Sequence, residues 1–140
     1  MTVTPAELFA LALERHQQHW NWSFQFVAVW VFGLVLLFHS YLLLAVSLVF
    51  FGVGFFQLNL PPFEKEWWIS FVKKGVEWEK NWIAAPWNLI KWRRFLFVLV
   101  VVGVLVWALW IREYAALGLI LGFAYLVKVK AENKAAGIDV

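Results

Sequence analysis

Four long apolar runs without a charged residue are the strongest constraint on how this chain folds. They are residues 24–38, 41–56, 95–111 and 114–127. Two-residue breaks join them in pairs, His39-Ser40 in the first pair and Arg112-Glu113 in the second. Because a helix needs about 20 mainly apolar residues to cross a hydrocarbon layer of about 30 Å, each run supplies most of one span. The pattern predicts an all-α integral membrane protein with four transmembrane helices, arranged as two tight helical hairpins with amphipathic interfacial helices.

Composition supports a lipid environment. Of the 140 residues, 64% are hydrophobic and only 15% are charged, too few to cover the surface of a soluble domain. The chain contains no Cys, which excludes disulfides, thiolate metal sites and iron–sulfur clusters. Glu7 and Glu14 precede the first run, without a compact basic region or a small-residue cleavage site. We therefore expect no removable signal peptide, and the first run acts as the insertion signal.

The cations are distributed very unevenly about the predicted spans. Threaded as two hairpins, eleven of the 12 Lys and Arg residues fall on one side, and Arg112 alone falls on the other. This positive-inside bias predicts that both termini are cytoplasmic, in a bacterial inner membrane or an equivalent membrane. The net charge of +3 indicates attraction to anionic lipid rather than to nucleic acid. The residues predicted to meet lipid head groups are Lys73, Lys74, Lys80, Lys91, Arg93 and Arg94.

The chain divides into consecutive segments of a single membrane domain, residues 1–140. The predicted segments are an amphipathic N-terminal helix (4–20), hairpin 1 (22–58), a Trp-rich interfacial helix or linker (63–85), hairpin 2 (87–129) and a polar tail (130–140). The N-terminal helix begins with a capping box, in which Thr4 is the N-cap and Glu7 lies three residues later. We expect it to run on into the first span through Trp20, and the polar tail to continue the last helix briefly and then fray.

The interfacial helix carries an unusual aromatic face. At helical spacing Trp67, Phe71 and Trp78 share one side with Gly75 and Trp82, with Trp68 and Val72 on its flank. Lysines and glutamates take the other side, and Glu79 is an exception near the edge of the apolar face. Indole rings favour head-group depth, so this helix is predicted to lie in the membrane interface. The full predicted interfacial set is Trp20, Trp22, Trp67, Trp68, Phe71, Trp78, Trp82, Trp87 and Trp92.

Few residues offer chemistry. His16 and His19 lie three apart on the apolar side of the predicted N-terminal helix, which places both rings on one helical face, as a metal or haem site requires. Histidines within an aromatic belt are the favoured interpretation, so no cofactor is predicted. The spans hold no charged residue and no Ser/His/Asp set, which argues against a pump, a protease or any other enzyme.

Glycines mark candidate helix contacts. Gly118 and Gly122 form a GxxxG step, which lets helix backbones approach closely in lipid. They could pack against Gly103 in the preceding span or against a second copy. Gly52 and Gly54, two residues apart, lie on different faces of their helix and could each admit a neighbour.

Three functions fit these features. The favoured one is a small non-catalytic structural or accessory subunit that packs in a larger membrane assembly or a homo-oligomer. The second is a protein that bends the bilayer, because the hairpin–linker–hairpin layout is similar to that of reticulon-type membrane-shaping proteins; hairpins that dip into the bilayer without crossing it would suit this function. The third is an oligomeric channel lined by Gln25, Ser47 and tyrosines.

Overall fold

The computed structural model describes residues 3–138, and this part of the chain is all-helical, as predicted. The six helices are α1 (Pro5–His16), α2 (His19–Phe38), α3 (Tyr41–Val53), α4 (Glu66–Ala84), α5 (Leu89–Trp110) and α6 (Tyr114–Ala135). The predicted capping box opens α1: the Glu7 N–H donates to Thr4 Oγ1 over 3.3 Å, and the Thr4 N–H donates to Glu7 Oε2 over 2.8 Å.

Three helices are long and apolar enough to cross a membrane, namely α2, α5 and α6, with 20, 22 and 22 residues. The remaining apolar run forms the shorter helix α3, with 13 residues. At a rise of 1.5 Å per residue, α3 is about 20 Å long, against about 30 Å of hydrocarbon. The predicted second arm of hairpin 1 is therefore shorter as a helix than the sequence pattern indicates, because the helix ends at Val53 and turns through Gly54.

Both predicted two-residue breaks are sharp turns with left-handed backbone. His39 has φ 52° and Arg112 has φ 58°, a conformation that non-glycine residues adopt rarely. Ser40 then caps α3 by accepting a hydrogen bond from the Leu43 N–H over 3.4 Å. The two turns therefore lie where the sequence predicts them.

The chain divides into two compact units, Met1–Lys91 and Trp92–Val140. In the first unit α2 is the central helix, and it packs against α1, α3 and α4. Helices α2 and α3 run antiparallel, since Ser47 donates to the Ala28 carbonyl over 2.9 Å and Asn21, about two turns earlier in α2, reaches Gly54 at the end of α3. A small core of Trp22, Val72 and Val76 joins α2 to α4.

The connection from α3 to α4 is held against the start of α2. The indole of Trp20 donates to the Pro61 carbonyl over 2.8 Å, and its ring lies 4.1 Å from that of Phe63, centroid to centroid. Pro61 and Pro62 keep this segment out of helix, and α4 begins only at Glu66.

The second unit is a pair of helices joined at the Arg112 turn. Ala108 is buried beside that turn, and its carbonyl accepts from the Glu113 N–H over 2.9 Å. Farther from the turn, α5 and α6 form no packed helix pair within the described residues. Helix α6 continues into the predicted polar tail as far as Ala135. It ends in a Schellman motif at Gly137 (φ 76°), with the Ile138 N–H on the Asn133 carbonyl; residues 139 and 140 lie outside the described part.

Candidate functional site

Polar side chains gather where α1, α2, α3 and α4 meet. Asn21, Ser23 and Gln25 in the first two turns of α2 are all buried, and His16 from α1 and Glu79 from α4 approach them. We call these five residues the polar cluster. Buried polar groups are costly unless hydrogen-bonded, so their partners indicate what the cluster does.

One task of the cluster is to satisfy the end of α3. Asn21 Nδ2 donates to the carbonyls of Gly54 (2.8 Å) and Phe56 (2.7 Å). Gln25 Nε2 reaches the Phe51 carbonyl at 3.4 Å. The last carbonyls of a helix have no partner within it. The side-chain amides of Asn21 and Gln25 therefore supply hydrogen bonds that water would otherwise provide.

Gly54 permits this close approach. A Cβ placed on Gly54 would overlap the Gln25 side chain, so a larger residue would push the amide away from α3. Arg15 at the end of α1 adds a further donor, to the Phe55 carbonyl over 3.1 Å. The prediction that Gly54 admits a neighbour thus has a concrete counterpart, and the neighbour is a polar side chain of α2.

Glu79 is the second centre of the cluster. Its Oε1 accepts from Trp22 Nε1 over 2.8 Å, and its Oε2 lies 2.8 Å from His16 Nε2. The other ring nitrogen of His16, Nδ1, is hydrogen-bonded to Gln25 Oε1. In the sequence, Glu79 interrupts the apolar face of α4. The structure explains this exception, because that side of α4 faces α1 and α2 and the carboxylate bonds to both of them.

The expectation that His16 and His19 share one helical face is wrong. Helix α1 ends at His16 and α2 begins at His19, with the backbone extended at Gln18 (ψ 145°). His19 is exposed, whereas His16 is half-buried in the polar cluster. The N-terminal helix therefore stops short of the predicted residue 20. Among residues 3–138, no three His, Asp or Glu side chains are grouped as a metal site requires.

Helix α4 has two apolar faces rather than one. Val72 and Val76 pack on Trp22, and a Cβ on Gly75 would lie 2.5 Å from a ring carbon of Trp22. The Trp68 indole donates to Ser23 Oγ over 3.1 Å. Two residues predicted for the membrane interface, Trp22 and Trp68, are thus engaged inside the first unit, and Trp22 is only 8% exposed.

The other apolar face of α4 is open. Trp67 is 66% exposed and Trp78 is 67% exposed, with Phe71 beside them. We call these three residues the open aromatic face. The neighbouring lysines Lys73, Lys74 and Lys80 are exposed as well. Of the other residues predicted to meet head groups or the interface, Trp20 and Trp82 are half-buried, and the exposed ones are Trp87, Trp92, Arg93 and Arg94. Their contact with lipid stays a prediction.

Lys91 has a different place from the predicted head-group contact. It is only 7% exposed, and its Nζ donates to the carbonyls of Trp82 and Ala85, both over 2.6 Å. The ammonium also lies 4.5 Å from the ring centroids of Trp82 and Trp87. A cation at the carbonyl end of a helix is favourable, so Lys91 caps α4. Sequence reading missed this because a lysine beside two arginines resembles a membrane-flanking cation.

The other predicted packing glycines have no neighbour in the described chain. A Cβ on Gly52, Gly103, Gly118 or Gly122 would meet nothing within 4 Å among residues 3–138. The predicted contact of Gly118 and Gly122 with Gly103 is therefore not formed. A role for these glycines in packing stays a prediction that involves another molecule.

An open apolar groove lies next to the polar cluster. It has a volume of about 220 Å³ and is lined by Trp20, Phe24, Val27, Phe50, Phe63 and Trp68, with Ser23 at one point. This volume is smaller than that of a typical small-molecule site. Its lining carries no ionisable group, so the groove offers shape and apolar contact rather than chemistry.

Comparison of the chain with protein-family models, with curated proteins and with solved structures finds no match.

Proposed function

We propose that this protein is a small non-catalytic subunit of a larger membrane assembly or of a homo-oligomer. Its helices α5 and α6 pack against other membrane subunits or against a second copy of the chain. The observation that carries the proposal is the exposure of α5 and α6. In their apolar stretches, 6% and 0% of the residues are buried within the chain. In lipid, helices associate through close packing and small residues rather than through the hydrophobic effect, and Gly118 and Gly122 offer such a surface.

The proposed arrangement in the bilayer follows the cations. Helices α2, α5 and α6 cross, and the shorter α3 returns the chain to the level at which α2 begins, which completes hairpin 1. This places α4 and both termini on the cytoplasmic side of a bacterial inner membrane or an equivalent membrane. The open aromatic face and Lys74 then lie at head-group depth.

The absence of cysteine makes the orientation easy to test. Ser70→Cys on the polar side of α4 and Glu113→Cys at the Arg112 turn each provide one thiol. In sealed inverted and right-side-out vesicles, a membrane-impermeant maleimide should label the two variants from opposite sides. Labelling of both from the same side would contradict the arrangement.

A matched pair of variants tests the packing surface. Gly118→Leu places bulk on the small-residue face of α6, whereas Ala124→Leu adds comparable bulk to another face. After purification in a mild detergent, the wild-type chain and Ala124→Leu should retain the same co-purifying subunits or the same oligomeric mass. Gly118→Leu should lose them while α1–α4 stay folded. If both variants retain the assembly, or if the wild-type chain is monomeric without partners, the proposal fails.

A membrane-shaping function is the second candidate, and the open aromatic face favours it. Trp67 and Trp78 are largely exposed on the same helix that carries the exposed Lys73 and Lys74. An amphipathic helix inserted in one leaflet occupies area there and promotes curvature. Purified protein should then tubulate liposomes that contain anionic lipid, and the double variant Trp67→Ala/Trp78→Ala should not. Asn81→Ala, an exposed change on the same helix, is the control.

The hydrogen bonds of Gln25 and Ser47 weaken the channel hypothesis. Gln25 is bonded to His16 and to the Phe51 carbonyl, and Ser47 donates to the Ala28 carbonyl. Both side chains are therefore engaged inside the first unit.

A further inference from the structure

The walls of the apolar groove beside the polar cluster are held in place by contacts within the first unit. Trp20 is fixed by its hydrogen bond to the Pro61 carbonyl (2.8 Å) and by its ring contact with Phe63, 4.1 Å between centroids. The rings of Phe24 and Phe50 meet edge to face, with 5.7 Å between centroids. A groove with fixed walls loses little side-chain freedom when a ligand binds in it.

The polar groups at the groove already have partners. The Trp68 indole N–H donates to Ser23 Oγ over 3.1 Å, and the Ser23 hydroxyl donates to the His19 carbonyl over 2.7 Å. The Trp20 indole N–H is bonded to the Pro61 carbonyl. A ligand therefore gains nothing by presenting donors or acceptors to this lining, and a hydrocarbon is the chemistry that fits it.

The shape of the groove favours a single chain. Its α2 side is formed by Trp20, Phe24 and Val27, which extend for about 10 Å along the helix axis. A volume of about 220 Å³ over that length corresponds to a mean cross-section of about 20 Å². A helix with its side chains is about 10–12 Å across and needs at least about four times that area. One extended hydrocarbon chain fits this space, and a transmembrane helix does not.

In the proposed arrangement the groove follows the membrane normal. Trp20 lies in the first turn of α2, at the cytoplasmic interface, and Val27 lies two turns deeper. Phe63 contacts Trp20 and so lines the interfacial end, whereas Val27 is 38% exposed at the deep end. An acyl chain of the cytoplasmic leaflet therefore lies parallel to the groove, and its head group stands beside Phe63.

Charges of both signs stand at this interfacial end. Glu64, Lys65 and Glu66 follow directly after Phe63 in the sequence, and all three are exposed. The Lys65 ammonium can pair with a phosphate, and the two carboxylates can accept hydrogen bonds from a primary ammonium group. Because the carboxylates outnumber the lysine, an anionic head group meets more repulsion here than a zwitterionic one.

We propose that the groove is a binding site for one zwitterionic phospholipid with a primary ammonium head group. One acyl chain lies along Phe24, Val27 and Phe50, and the head group pairs with residues 64–66. This preference differs from that of the lysines and arginines elsewhere on the cytoplasmic side, which attract anionic lipid. The inference rests on the proposed position of α2 in the bilayer, and it is independent of what α5 and α6 pack against.

Native mass spectrometry of the full-length protein tests the lipid preference. The protein is released from nanodiscs that contain equal amounts of phosphatidylethanolamine, phosphatidylcholine and phosphatidylglycerol. It should retain one phosphatidylethanolamine in preference to the other two lipids. Preferential retention of phosphatidylglycerol, or an adduct pattern that merely follows the lipid mixture, would overturn the proposal.

A matched pair of variants tests the acyl-chain position. Val27→Phe fills the deep end of the groove, whereas Val29→Phe adds the same bulk at a 64% exposed position on another face of α2. Retention of phosphatidylethanolamine should fall about tenfold in Val27→Phe, as expected when about two methylene groups lose their contacts, and should be unchanged in Val29→Phe. Equal retention in the two variants would contradict the site. If Val27→Phe keeps the lipid but loses a partner subunit or the oligomer, the groove holds a protein side chain and the lipid proposal is wrong.

A second pair of variants tests the head-group position. The double variant Glu64→Gln/Glu66→Gln leaves Lys65 as the only charge of residues 64–66. The ratio of retained phosphatidylethanolamine to phosphatidylglycerol should fall about threefold or more, as expected for the loss of exposed ion pairs. Glu77→Gln, an exposed change on the polar side of α4, is the control and should leave the ratio unchanged. An unchanged ratio in the double variant would contradict the proposed head-group contacts.

Photocrosslinking of the wild-type chain does not depend on any variant folding well. A phosphatidylethanolamine with a diazirine in one acyl chain, reconstituted with the protein in bilayers, should react mainly with Phe24, Val27 and Phe50. Crosslinks spread evenly over these residues and the exposed Val100 of α5 would refute a specific site and leave the membrane assignment intact. Failure to crosslink α2, α5 or α6 would contradict the bilayer arrangement itself, and the lipid site with it.

Discussion

The two units of this protein use their side chains in opposite ways. The first unit, α1–α4, buries Asn21, Gln25 and Ser47 and bonds each of them to a neighbouring helix or its end. The second unit consists of apolar helices with almost fully exposed surfaces. Hydrogen bonds of this kind, together with the small core of Trp22, Val72 and Val76, connect the helices of the first unit.

The two helix turns show that a sharp turn is not sufficient for helix packing. His39 and Arg112 have nearly the same left-handed backbone, yet α2 packs on α3 whereas α5 and α6 form no packed pair in the described chain. The difference lies between the helices. Hydrogen bonds from Asn21, Gln25 and Ser47 connect the first pair, and the apolar runs of the second pair offer few equivalent donors.

The largest effect is expected at Asn21. Asn21→Leu leaves the carbonyls of Gly54 and Phe56 without this donor, and each buried unsatisfied group costs about 1–3 kcal/mol. We expect a loss of about 2–4 kcal/mol in the free energy of unfolding, measured by reversible denaturation in mixed micelles. Asn81→Leu, on the exposed side of α4, should change it by less than about 0.5 kcal/mol. Equal losses in the two variants would mean that the amide does not cap α3.

Glycines provide a second contrast between the units. Gly75→Ala drives a methyl group into the Trp22 ring, so it should destabilise the first unit by about 1–3 kcal/mol. Gly103→Ala in α5 meets open space and should be neutral or stabilising by up to about 1 kcal/mol in the isolated chain, because alanine favours helix. The same unfolding measurement checks both. A loss at Gly103 would reveal packing that the isolated chain does not show.

Lys91 and Arg94 are neighbouring cations with different environments. Lys91→Met removes the cap of α4 and the contacts with two indole rings, and should cost about 1–3 kcal/mol. Arg94→Met should change the unfolding free energy by less than about 0.5 kcal/mol, although it should weaken binding to vesicles that contain anionic lipid. Stronger destabilisation by the arginine change would reverse the assignment of the two cations.

The smallest effect is expected at the start of α1. Thr4→Ala removes the N-cap and should cost about 1 kcal/mol of local helix stability, seen as faster exchange at the first amides of α1. Hydrogen bonds from the Thr4 backbone and side chain lower the pKa of Glu7. The cap is therefore intact when Glu7 is ionised, and it weakens as the pH falls through the range in which glutamate takes up a proton. A cap that strengthens on acidification would contradict this sign.

Much of the local structure could be predicted from the sequence. Helices, the N-cap of α1 and the two turns depend only on residues that are close in sequence. They can therefore be predicted from the charge-free runs, the Thr4–Glu7 spacing and the two-residue breaks. The polar cluster could not be predicted, because it joins residues as far apart as His16 and Glu79, and no short-range rule connects them. The one local signal was Glu79 itself, a carboxylate out of place on the apolar side of α4.

Two further residues have surroundings that their sequence position does not indicate. A tryptophan near a helix start is typical of interfacial indoles, but the Trp22 ring is enclosed by α4. Lys91 stands beside Arg93 and Arg94 in the sequence, although its ammonium turns back on α4. In each case the tertiary contact, rather than the residue type, determines the environment.

The most direct test of the account is the solvent around α5 and α6. Single cysteines at Val100 and Leu119, which are 64% and 75% exposed, carry nitroxide labels in protein reconstituted into bilayers. Collision rates with oxygen should be high and those with a water-soluble nickel chelate low at both sites, whereas a label at Glu113 should show the reverse. High nickel accessibility at Val100 and Leu119 would mean that water surrounds these helices, and the membrane assignment would be contradicted.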